Sequence, residues 1–369
     1  MAGSVIDALR RFLPRLQQEA PLLCEARRRA VWALTHCRTA TMGGHLHACA
    51  DCSTSHYAYH SCNHRACPQC GGAATAAWVA TQLERRVSAP YFLVTFTLPQ
   101  ELRSLFFGEG AREAFDLLFA ASSRSLGESL ASRKGLGAAR CGFTSVLHTW
   151  NQRLQFHPHV HCLVPGAGLD SEGSFVRIKN ENFLAPLPPL RARFRHHFRA
   201  GLEALGWQAD PKVWHIDWGV HIQPCGNGAA AVKYLGAYVS RTAIGDARIV
   251  STDEDTVTFR WKDRARGGAS RTETLAGREF CIRYLRHVLP RGLRSIRHFG
   301  FHHPAAKVIR ERVGFLSGRA LVLDPGAAKA ATPPPTNWPL CPCCQKAMRR
   351  MMHLPSAFRR KERGPPRPA

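Results

Sequence analysis

The chain has 369 residues, of which 45% are apolar, a composition ordinary for a globular protein with a hydrophobic core. Lysine and arginine number 51 against 26 aspartate and glutamate residues, which gives a formal net charge of +25. This excess predicts a polyanionic partner, most simply a nucleic acid. The absence of a long apolar run argues against a membrane span, and charges throughout the N-terminal apolar pattern argue against a signal peptide.

The first third of the chain reads as helices, a metal-dependent module and a buried strand. Residues 1–36 have the pattern of two amphipathic helices, the first of which Pro14 could break. Residues 37–72 are rich in Cys, His and Gly, show no periodicity, and are expected to need a metal in order to fold. A helix over 73–87 and a buried strand over 91–98 are predicted next.

The remainder alternates helical and strand-like segments, which predicts an α+β or α/β fold. Residues 142–150 and 154–164 read as neighbouring strands that form a hairpin, and a further helix covers 229–241. The other predicted elements are helices over 101–131, 189–206, 273–290 and 302–316 and strands over 212–224 and 256–263. A Pro-rich linker, a cysteine cluster and a basic tail that is expected to be disordered occupy 331–369.

The 14 cysteines are unevenly distributed, with six of them between residues 37 and 70. Two CxxC knuckles separated by 14 residues offer four thiolates, the tetrahedral set of structural Zn²⁺ sites: Cys49, Cys52, Cys67 and Cys70. Five other cysteines and histidines in this region could form a second metal site or replace one of these four ligands: Cys37, Cys62, His56, His60 and His64. Spacing does not decide between these two possibilities.

A third CxxC lies near the C-terminus, from Cys341 to Cys344. One knuckle alone cannot complete a tetrahedral site, although His353 could add a third ligand. The pattern is as compatible with no metal as with a metal.

Three histidines at alternate positions, His157, His159 and His161, would share one face of a strand. Imidazoles on a rigid strand can hold a divalent ion with positions left open to substrate, and such an ion stabilises charge in a phosphoryl displacement. The alternative is a polar strand face with surface histidines. Pro158 lacks a backbone donor, which indicates an edge strand or an irregular strand end.

Two tyrosines, Tyr234 and Tyr238, lie four residues apart in a predicted helix and therefore share a face. Such a pair is more often core packing than chemistry. Its flanking cations, Lys233 and Arg241, and a histidine cluster elsewhere favour nucleophilic roles, since a tyrosine hydroxyl needs activation. Attack on phosphorus would conserve the bond energy in a phosphotyrosine, in agreement with the absence of a GxxxxGK[ST] loop.

These blocks together resemble a known family. HPHVH resembles the HUH motif of rolling-circle endonucleases, and KYLGAYVSRTAI resembles the two-tyrosine motif of insertion-sequence-91-type transposases and, more distantly, of helitrons. The stretch CRTATMGGHLHACADC…SCNHRACPQC is similar to the zinc-binding domain that precedes the nuclease in these transposases. GREFCIRYLRHVLPRGLRSIRHFGF is similar to their segment after the tyrosines. The order, histidines before tyrosines, resembles replication initiators.

The resemblance implies a transposase that nicks and rejoins single-stranded DNA through a 5′-phosphotyrosine intermediate and a free 3′ hydroxyl. It implies that His159 and His161 bind a catalytic Mg²⁺ or Mn²⁺ and that Tyr234 and Tyr238 are the nucleophiles. The motif does not define the third ligand, for which His157 is the first candidate; the weaker candidates are His221 and Glu84.

The implied architecture is α+β, with a zinc-binding module followed by a nuclease domain whose central, mainly antiparallel sheet is flanked by helices. We expect N-terminal helices over 1–36, the zinc-binding module over 37–72, the nuclease domain over 80–320, and the linker, cysteine cluster and tail over 331–369. The expected partner is single-stranded DNA at mobile-element ends and targets, in the bacterial cytoplasm at the nucleoid. Without helicase motifs in the chain, unwinding would come from a host helicase or from DNA topology. The oligomeric state stays open.

Two other functions remain to be weighed against this one. A zinc-dependent DNA-binding regulator would explain the charge and the cysteines, but would leave HPHVH and the tyrosine pair as accidents. A metallohydrolase with zinc on the three histidines would leave the basic surface and the tyrosines unexplained. A denaturation-resistant protein–DNA adduct would distinguish the transposase from both.

Overall fold

The computed structural model describes most of the chain, namely residues 3–19, 24–239, 243–263, 266–318 and 339–357. Most of the predicted Pro-rich linker and basic tail, over 331–338 and 358–369, lies outside the described residues. No helix within the described ranges is both long enough and apolar enough to cross a membrane.

The described chain contains helices and short strands in mixed order. The α-helices are α1 Val5–Glu19, α2 Glu25–His36, α3 Gly72–Glu84, α4 Ala111–Ala131, α5 Leu187–Ala204, α6 Ala229–Val239, α7 Gly277–Leu285 and α8 Lys307–Leu316. The strands are β1 Gly44–Ala48, β2 Ser55–Tyr59, β3 Tyr91–Thr97, β4 Gly142–Trp150, β5 Phe156–Pro165, β6 Ala167–Leu169, β7 Phe175–Arg177, β8 Gly219–Pro224, β9 Ile249–Thr252, β10 Thr256–Asp263, β11 Ala269–Ala276, β12 Ile296–Gly300 and β13 Arg349–Leu354.

A five-stranded sheet with the order β12-β4-β5-β3-β8 forms the centre of the larger part of the molecule, and every neighbouring pair in it is antiparallel. The predicted hairpin of β4 and β5 is confirmed. Both strands are almost entirely buried, because helices cover the two faces of the sheet. Together with the N-terminal module, this sheet and its helices confirm the α+β fold.

The two faces of this sheet have different partners. On one face, alternate residues such as Phe96 and Val160 pack with Phe119 of α4 and Phe194 of α5 in the main hydrophobic core. On the other face, α6 packs with α3 over a smaller apolar cluster that includes Leu93, Val146, Leu163, Val232 and Leu235. Since strand side chains alternate between faces, His159 and His161 of β5 point to the face that α6 covers.

A second hydrophobic core joins the N-terminal helices to α7 and to a second, antiparallel sheet, which has the strand order β11-β10-β9. Helix α1 buries an apolar stripe that includes Leu9 and Phe12, and Gly277 at the start of α7 lies directly against the Phe12 ring. A Cβ at position 277 would come within 2.3 Å of that ring. The prediction that Pro14 could break the first helix is wrong, since α1 continues through it.

Several element boundaries differ from prediction. Residues 100–106 form a 3₁₀ turn, and α4 begins only at Ala111 after two glycines; the strand predicted over 212–224 begins at Gly219. The helix predicted from residue 273 begins at Gly277, because residues up to Ala276 pair with β10. Strand β11, ASRTETLA, is mostly exposed and lacks an apolar face, so its sequence carries no clear strand signal.

The third sheet joins the two ends of the described chain. Strand β13 pairs with β1, and β1 pairs with β2, all antiparallel. None of these three short strands was predicted. Their side chains are mostly half-exposed, so the apolar alternation on which a strand prediction depends is weak here.

Candidate active site and cysteine clusters

Three buried histidines meet on the face of the central sheet that α6 covers. They are His148 of β4 and His159 and His161 of β5, and their ligand atoms all lie within 4.8 Å of one another. His148 lies directly opposite His159 in the antiparallel register, while His161 is two residues farther along β5. The two predicted ligands His159 and His161 are therefore brought together, with His148 as the third.

The hydrogen bonds of this cluster orient its rings. His159 Nδ1 is 2.7 Å from the carbonyl oxygen of His157, which can only accept, so Nδ1 donates and leaves the Nε2 lone pair. His148 Nδ1 is 2.9 Å from that Nε2, so two ring nitrogens that could bind one ion face each other. His148 Nε2 is buried and has no hydrogen-bond partner among the described residues. Burial, followed by the neighbouring His159 and His161, lowers the pKa of His148 well below its ordinary value.

His161 completes the cluster through a contact across the sheet. Its Nδ1 shares a hydrogen bond of 2.9 Å with Oγ1 of Thr95, its direct neighbour on β3. A second contact of this kind on each ligand is the usual way in which a protein orients an imidazole toward a metal. Three oriented imidazoles thus converge, and this donor set fits a divalent cation.

His157, the first candidate for the third ligand, lies outside this cluster, and His148 stands in its place beside His159 and His161. Between His148 and Trp150 the β4–β5 register shifts, and the extra residue lies on β5 at His157-Pro158. This bulge ends the alternation that would have aligned His157 with His159. Instead, Arg103 donates to His157 Nδ1 at 2.8 Å, and burial together with that cation lowers the pKa of His157 to about 4.

The two weaker candidates also lie outside the cluster. His221 of β8 is opposite Thr95, so it shares the face of the histidine cluster, but it is two strands away from His161 and exposed. Glu84 is exposed at the end of α3. His148 itself could have been considered, since it lies in the strand predicted to pair with the HPHVH segment. Its face depends on register, and a slip of one residue reverses every side chain.

The two tyrosines of α6 lie over the histidine cluster. The Tyr238 ring centroid is 4.3 Å from that of His148, and the Tyr234 centroid is 6.1 Å from that of His161. The two tyrosine rings are 4.9 Å apart, as expected for positions i and i+4. Tyr234 is 38% exposed, so substrate could reach it from solvent.

Helix α6 is held at this position by contacts with the sheet and with α3. Val232 and Leu235 are fully buried against the sheet-side apolar cluster. Gly236 allows α6 to approach α3 closely, because a Cβ there would come within 2.2 Å of Val79. The helix therefore presents Tyr234 and Tyr238 to the histidines from a packed support.

A small cavity of about 50 Å³ adjoins Tyr238, and His287 forms part of its wall. The Nε2 of His287 donates to the carbonyl oxygen of Leu154 at 3.1 Å, and its Nδ1 is 3.2 Å from Thr149 Oγ1. Burial lowers the pKa of His287 to about 4. Since Leu154 and Thr149 flank the β4–β5 turn, this neutral ring links α7 to that hairpin.

The His287 pKa predicts a dependence of stability on pH. The unfolded chain, with an imidazole pKa of about 6.5, binds more protons than the folded chain between about pH 4 and pH 6.5. The free energy of unfolding should therefore decrease as the pH is lowered through that range. In His287→Gln this decrease should be smaller in urea denaturation at several pH values, with about pH 7.5 as the reference. An identical slope in both proteins would contradict the prediction.

The cysteines form two separate clusters rather than the single predicted site. One contains Cys37, Cys62, Cys67 and Cys70, and the other contains Cys49, Cys52, Cys341 and Cys344. The prediction that Cys49, Cys52, Cys67 and Cys70 bind one zinc ion is therefore wrong in its grouping. Each knuckle has a different partner: the second knuckle pairs with two single cysteines, and the first pairs with the C-terminal knuckle.

Both clusters have the dimensions of a zinc–thiolate site. A Zn–S bond of about 2.3 Å in a tetrahedron separates the sulfurs by about 3.8 Å. The observed Sγ–Sγ distances are 3.7 Å for Cys37–Cys70, 3.8 Å for Cys62–Cys70 and 3.5 Å for Cys49–Cys344. The nearby histidines that were considered as ligands, His56, His60, His64 and His353, are in neither cluster.

Two family profiles match separate parts of this chain. The family profile described as "Transposase zinc-binding domain" (Zn_Tnp_IS91) matches residues 8–98, and the one described as "Putative transposase" (Y2_Tnp) matches residues 142–309. The first range includes Cys37, Cys62, Cys67 and Cys70. The second includes the three histidines and both tyrosines.

Two relatives that align with about four fifths of this chain are also named as transposases. "Putative transposase y4qJ" of Sinorhizobium fredii is 34% identical over 318 residues, 80% of this chain and 79% of that protein. "Transposase for insertion sequence element IS801" of Pseudomonas savastanoi pv. phaseolicola is 32% identical over 323 residues, 81% of this chain and 73% of that protein.

Among solved structures, the conjugative relaxase TrwC in its metal-bound complex with oriT DNA is 19% identical over 31% of this chain and 43% of that one. Its TM-score of 0.26 is too low to bear on the fold. The family predicted from the motifs is confirmed by the profiles and the relatives, and the chain belongs to the insertion-sequence-91-type transposases.

Proposed function

We propose that this transposase cuts and rejoins single-stranded DNA by tyrosine attack beside a metal-binding histidine cluster, in rolling-circle transposition. The observation that carries the proposal is the placement of both α6 tyrosines over the three histidines, with a Tyr238–His148 ring distance of 4.3 Å. A tyrosine pair whose only role was packing would have no need of three oriented, buried imidazoles beside it. The net charge of +25 favours a polyanionic substrate.

We propose His148, His159 and His161 as the ligands of one divalent ion, for which the resemblance suggests Mg²⁺ or Mn²⁺. Three imidazoles leave coordination positions open to a phosphate oxygen. An ion bound there would polarise that oxygen and offset the charge that develops during displacement at phosphorus. Thr95 and the His157 carbonyl keep the rings of His161 and His159 oriented for this purpose.

The chemical step is a transfer of one phosphodiester to a tyrosine. The hydroxyl oxygen of Tyr234 or Tyr238 attacks phosphorus and loses its proton, the bond from phosphorus to the 3′ oxygen breaks, and that oxygen leaves as a 3′ hydroxyl after protonation. The 5′ phosphate stays on the tyrosine. Rejoining is the reverse attack by a 3′ hydroxyl, so the phosphotyrosine conserves the bond energy and no nucleotide cofactor is consumed.

The test is an oligonucleotide cleavage assay. Single-stranded oligonucleotides that carry the ends of the mobile element are incubated with the protein and Mg²⁺ or Mn²⁺, and a denaturation-resistant adduct is sought. Tyr234→Phe combined with Tyr238→Phe should abolish the adduct and retain DNA binding. The matched control, Tyr57→Phe with Tyr59→Phe in β2, should form the adduct as wild type does.

The outcomes separate the candidate functions. No wild-type adduct with any divalent metal, on oligonucleotides that the protein binds, would exclude the strand-transfer mechanism and favour a DNA-binding regulator. If one single variant alone loses the adduct, that tyrosine is the first nucleophile. Tyr238 is nearer to a ring of the cluster, whereas Tyr234 is more exposed.

The cysteine cluster within the family's zinc-binding domain is proposed as a structural zinc site. Cys37 and Cys67 of this cluster are fully buried in the second core, beside α1 and α7. Four thiolates fill the coordination sphere of a tetrahedral ion, so this zinc would stabilise the module and leave no position for substrate.

Action on chromosomal DNA would place the protein at the bacterial nucleoid, and a need for a host helicase stays a prediction.

A further inference from the structure

The C-terminal segment of the described chain meets the N-terminal strands β1 and β2 in one small module. Strand β13 near the C-terminus pairs with β1, and its register aligns Gly44 with Leu354 and Ala48 with Arg349. Beside this pairing, the CxxC of Cys49 and Cys52 faces the CxxC of Cys341 and Cys344. Positions almost 300 residues apart in sequence therefore contribute equal halves of one cluster.

The two halves have the same backbone geometry. The N–H of Cys49 donates to the carbonyl of Thr54 at 2.9 Å, and the N–H of Cys341 donates to the carbonyl of Lys346 at 2.8 Å, each five residues on. The residue after each knuckle is left-handed, with φ of 52° at Ser53 and 59° at Gln345. Non-glycine residues rarely adopt this conformation, so two independent loops share an unusual turn that aims both sulfurs inward.

Left-handed backbone also follows two cysteines of the other cluster. Arg38 follows Cys37 with φ of 55°, and Asn63 follows Cys62 with φ of 52°. Among the described residues, five non-glycine positions have positive φ, and four of them directly follow a cysteine of the two clusters. Left-handed backbone is therefore concentrated at the cysteines, as expected where a bound ion offsets its strain.

The surroundings of the second cluster suit a closed site. Cys341 and Cys49 are buried together with Met348 in a small apolar cluster of their own. A salt bridge of 3.3 Å between Lys346 and Asp51 joins the two knuckles at the surface. The Cys49–Cys344 Sγ separation of 3.5 Å is far longer than the 2.05 Å or so of a disulfide, and close to the edge of a zinc–thiolate tetrahedron.

We propose that Cys49, Cys52, Cys341 and Cys344 bind a second structural zinc ion that fastens the C-terminal segment onto the N-terminal zinc-binding module. Cys341 and Cys344 lie outside both ranges that the family profiles match, 8–98 and 142–309. Residues 339–357 thus belong to the zinc-binding module through one ion and one strand. The proposal is independent of the strand-transfer chemistry.

The first test is the zinc content of the purified full-length protein after reconstitution with Zn²⁺ and desalting. Because the histidine cluster could also retain Zn²⁺, every protein compared carries His148→Ala and His159→Ala. In this background the chain with all its cysteines should hold two zinc ions, one for each cysteine cluster. Cys341→Ser with Cys344→Ser should hold one. The matched control is Cys343→Ser in the same knuckle, an exposed cysteine outside the cluster, which should hold two. One ion in the chain with all its cysteines, or two in the double-serine variant, would overturn the proposal.

A second measurement uses the wild-type protein and does not depend on a variant that folds. Thiol alkylation followed by peptide mass spectrometry should modify the exposed Cys24 and Cys343 at once. Cys52 and Cys344, which are only half-buried, should react at least about tenfold faster after a zinc chelator than before it. Equal rates with and without the chelator would show that no metal protects these sulfurs and would refute the second site.

Discussion

Replacing His148 by alanine is expected to lower the rate of adduct formation at least about 100-fold, because it removes one of three proposed ligands of the catalytic ion. Its buried Nε2 has no hydrogen-bond partner in the part of the chain that the structure describes, so little of the fold depends on that atom. Binding of single-stranded DNA should be retained. Calorimetric titration with Mn²⁺ should show weakened binding in the variant, which a merely structural role would not produce.

His221→Ala is the matched control for His148→Ala. His221 lies on the same face of the sheet, but it is exposed and two strands away from His161. We expect its adduct rate to stay within about twofold of wild type, as for surface substitutions away from a site. A His148→Ala protein that cleaves DNA and binds Mn²⁺ as wild type does would refute the assignment of His148.

Cys67→Ser is expected to lower the free energy of unfolding by at least about 3 kcal/mol, because loss of a structural metal removes binding energy that is coupled to folding. Cys67 is fully buried, and the cluster that contains it lies in the core shared by α1, α2 and α7. Its neighbour Ala66 accepts a hydrogen bond of 2.7 Å from the hydroxyl of Tyr284 in α7. The destabilisation should therefore extend to α7, as measured by urea denaturation and hydrogen exchange.

Cys24→Ser is the matched control for Cys67→Ser. Cys24 is exposed and belongs to neither cysteine cluster, so its stability and zinc content should equal those of wild type. If Cys67→Ser retains the stability of wild type and its full zinc content, the first cysteine cluster is not a zinc site.

The motifs along the sequence were sufficient for the family and for most of the residues that we propose as catalytic. HPHVH and the tyrosine pair identified His159, His161, Tyr234 and Tyr238, because each motif is local: one strand and one helix turn fix the faces of their own residues. The helix–strand order left α+β and α/β open, and the resemblance to the family implied α+β.

The third histidine shows the limit of that reasoning. Periodicity within one strand favoured His157, but a bulge at His157-Pro158 ends the alternation, and Arg103 contacts the ring instead. His148 enters through cross-strand register, which depends on the exact length of the turn and on the bulge. Neither can be read from a repeat of two residues.

The cysteines show the same limit at longer range. Composition and the CxxC spacing determined that this basic chain binds metal near its N-terminus, as the family's zinc-binding domain confirms. Only the tertiary structure decided which sulfurs meet, because a tetrahedral set needs four thiolates in space and places no limit on the chain between them. The pairing of β13 with β1 brings Cys341 and Cys344 to the first knuckle. The sequence thus determined which residues have side chains suited to bind a metal ion. Packing between distant segments determined which of these side chains come together.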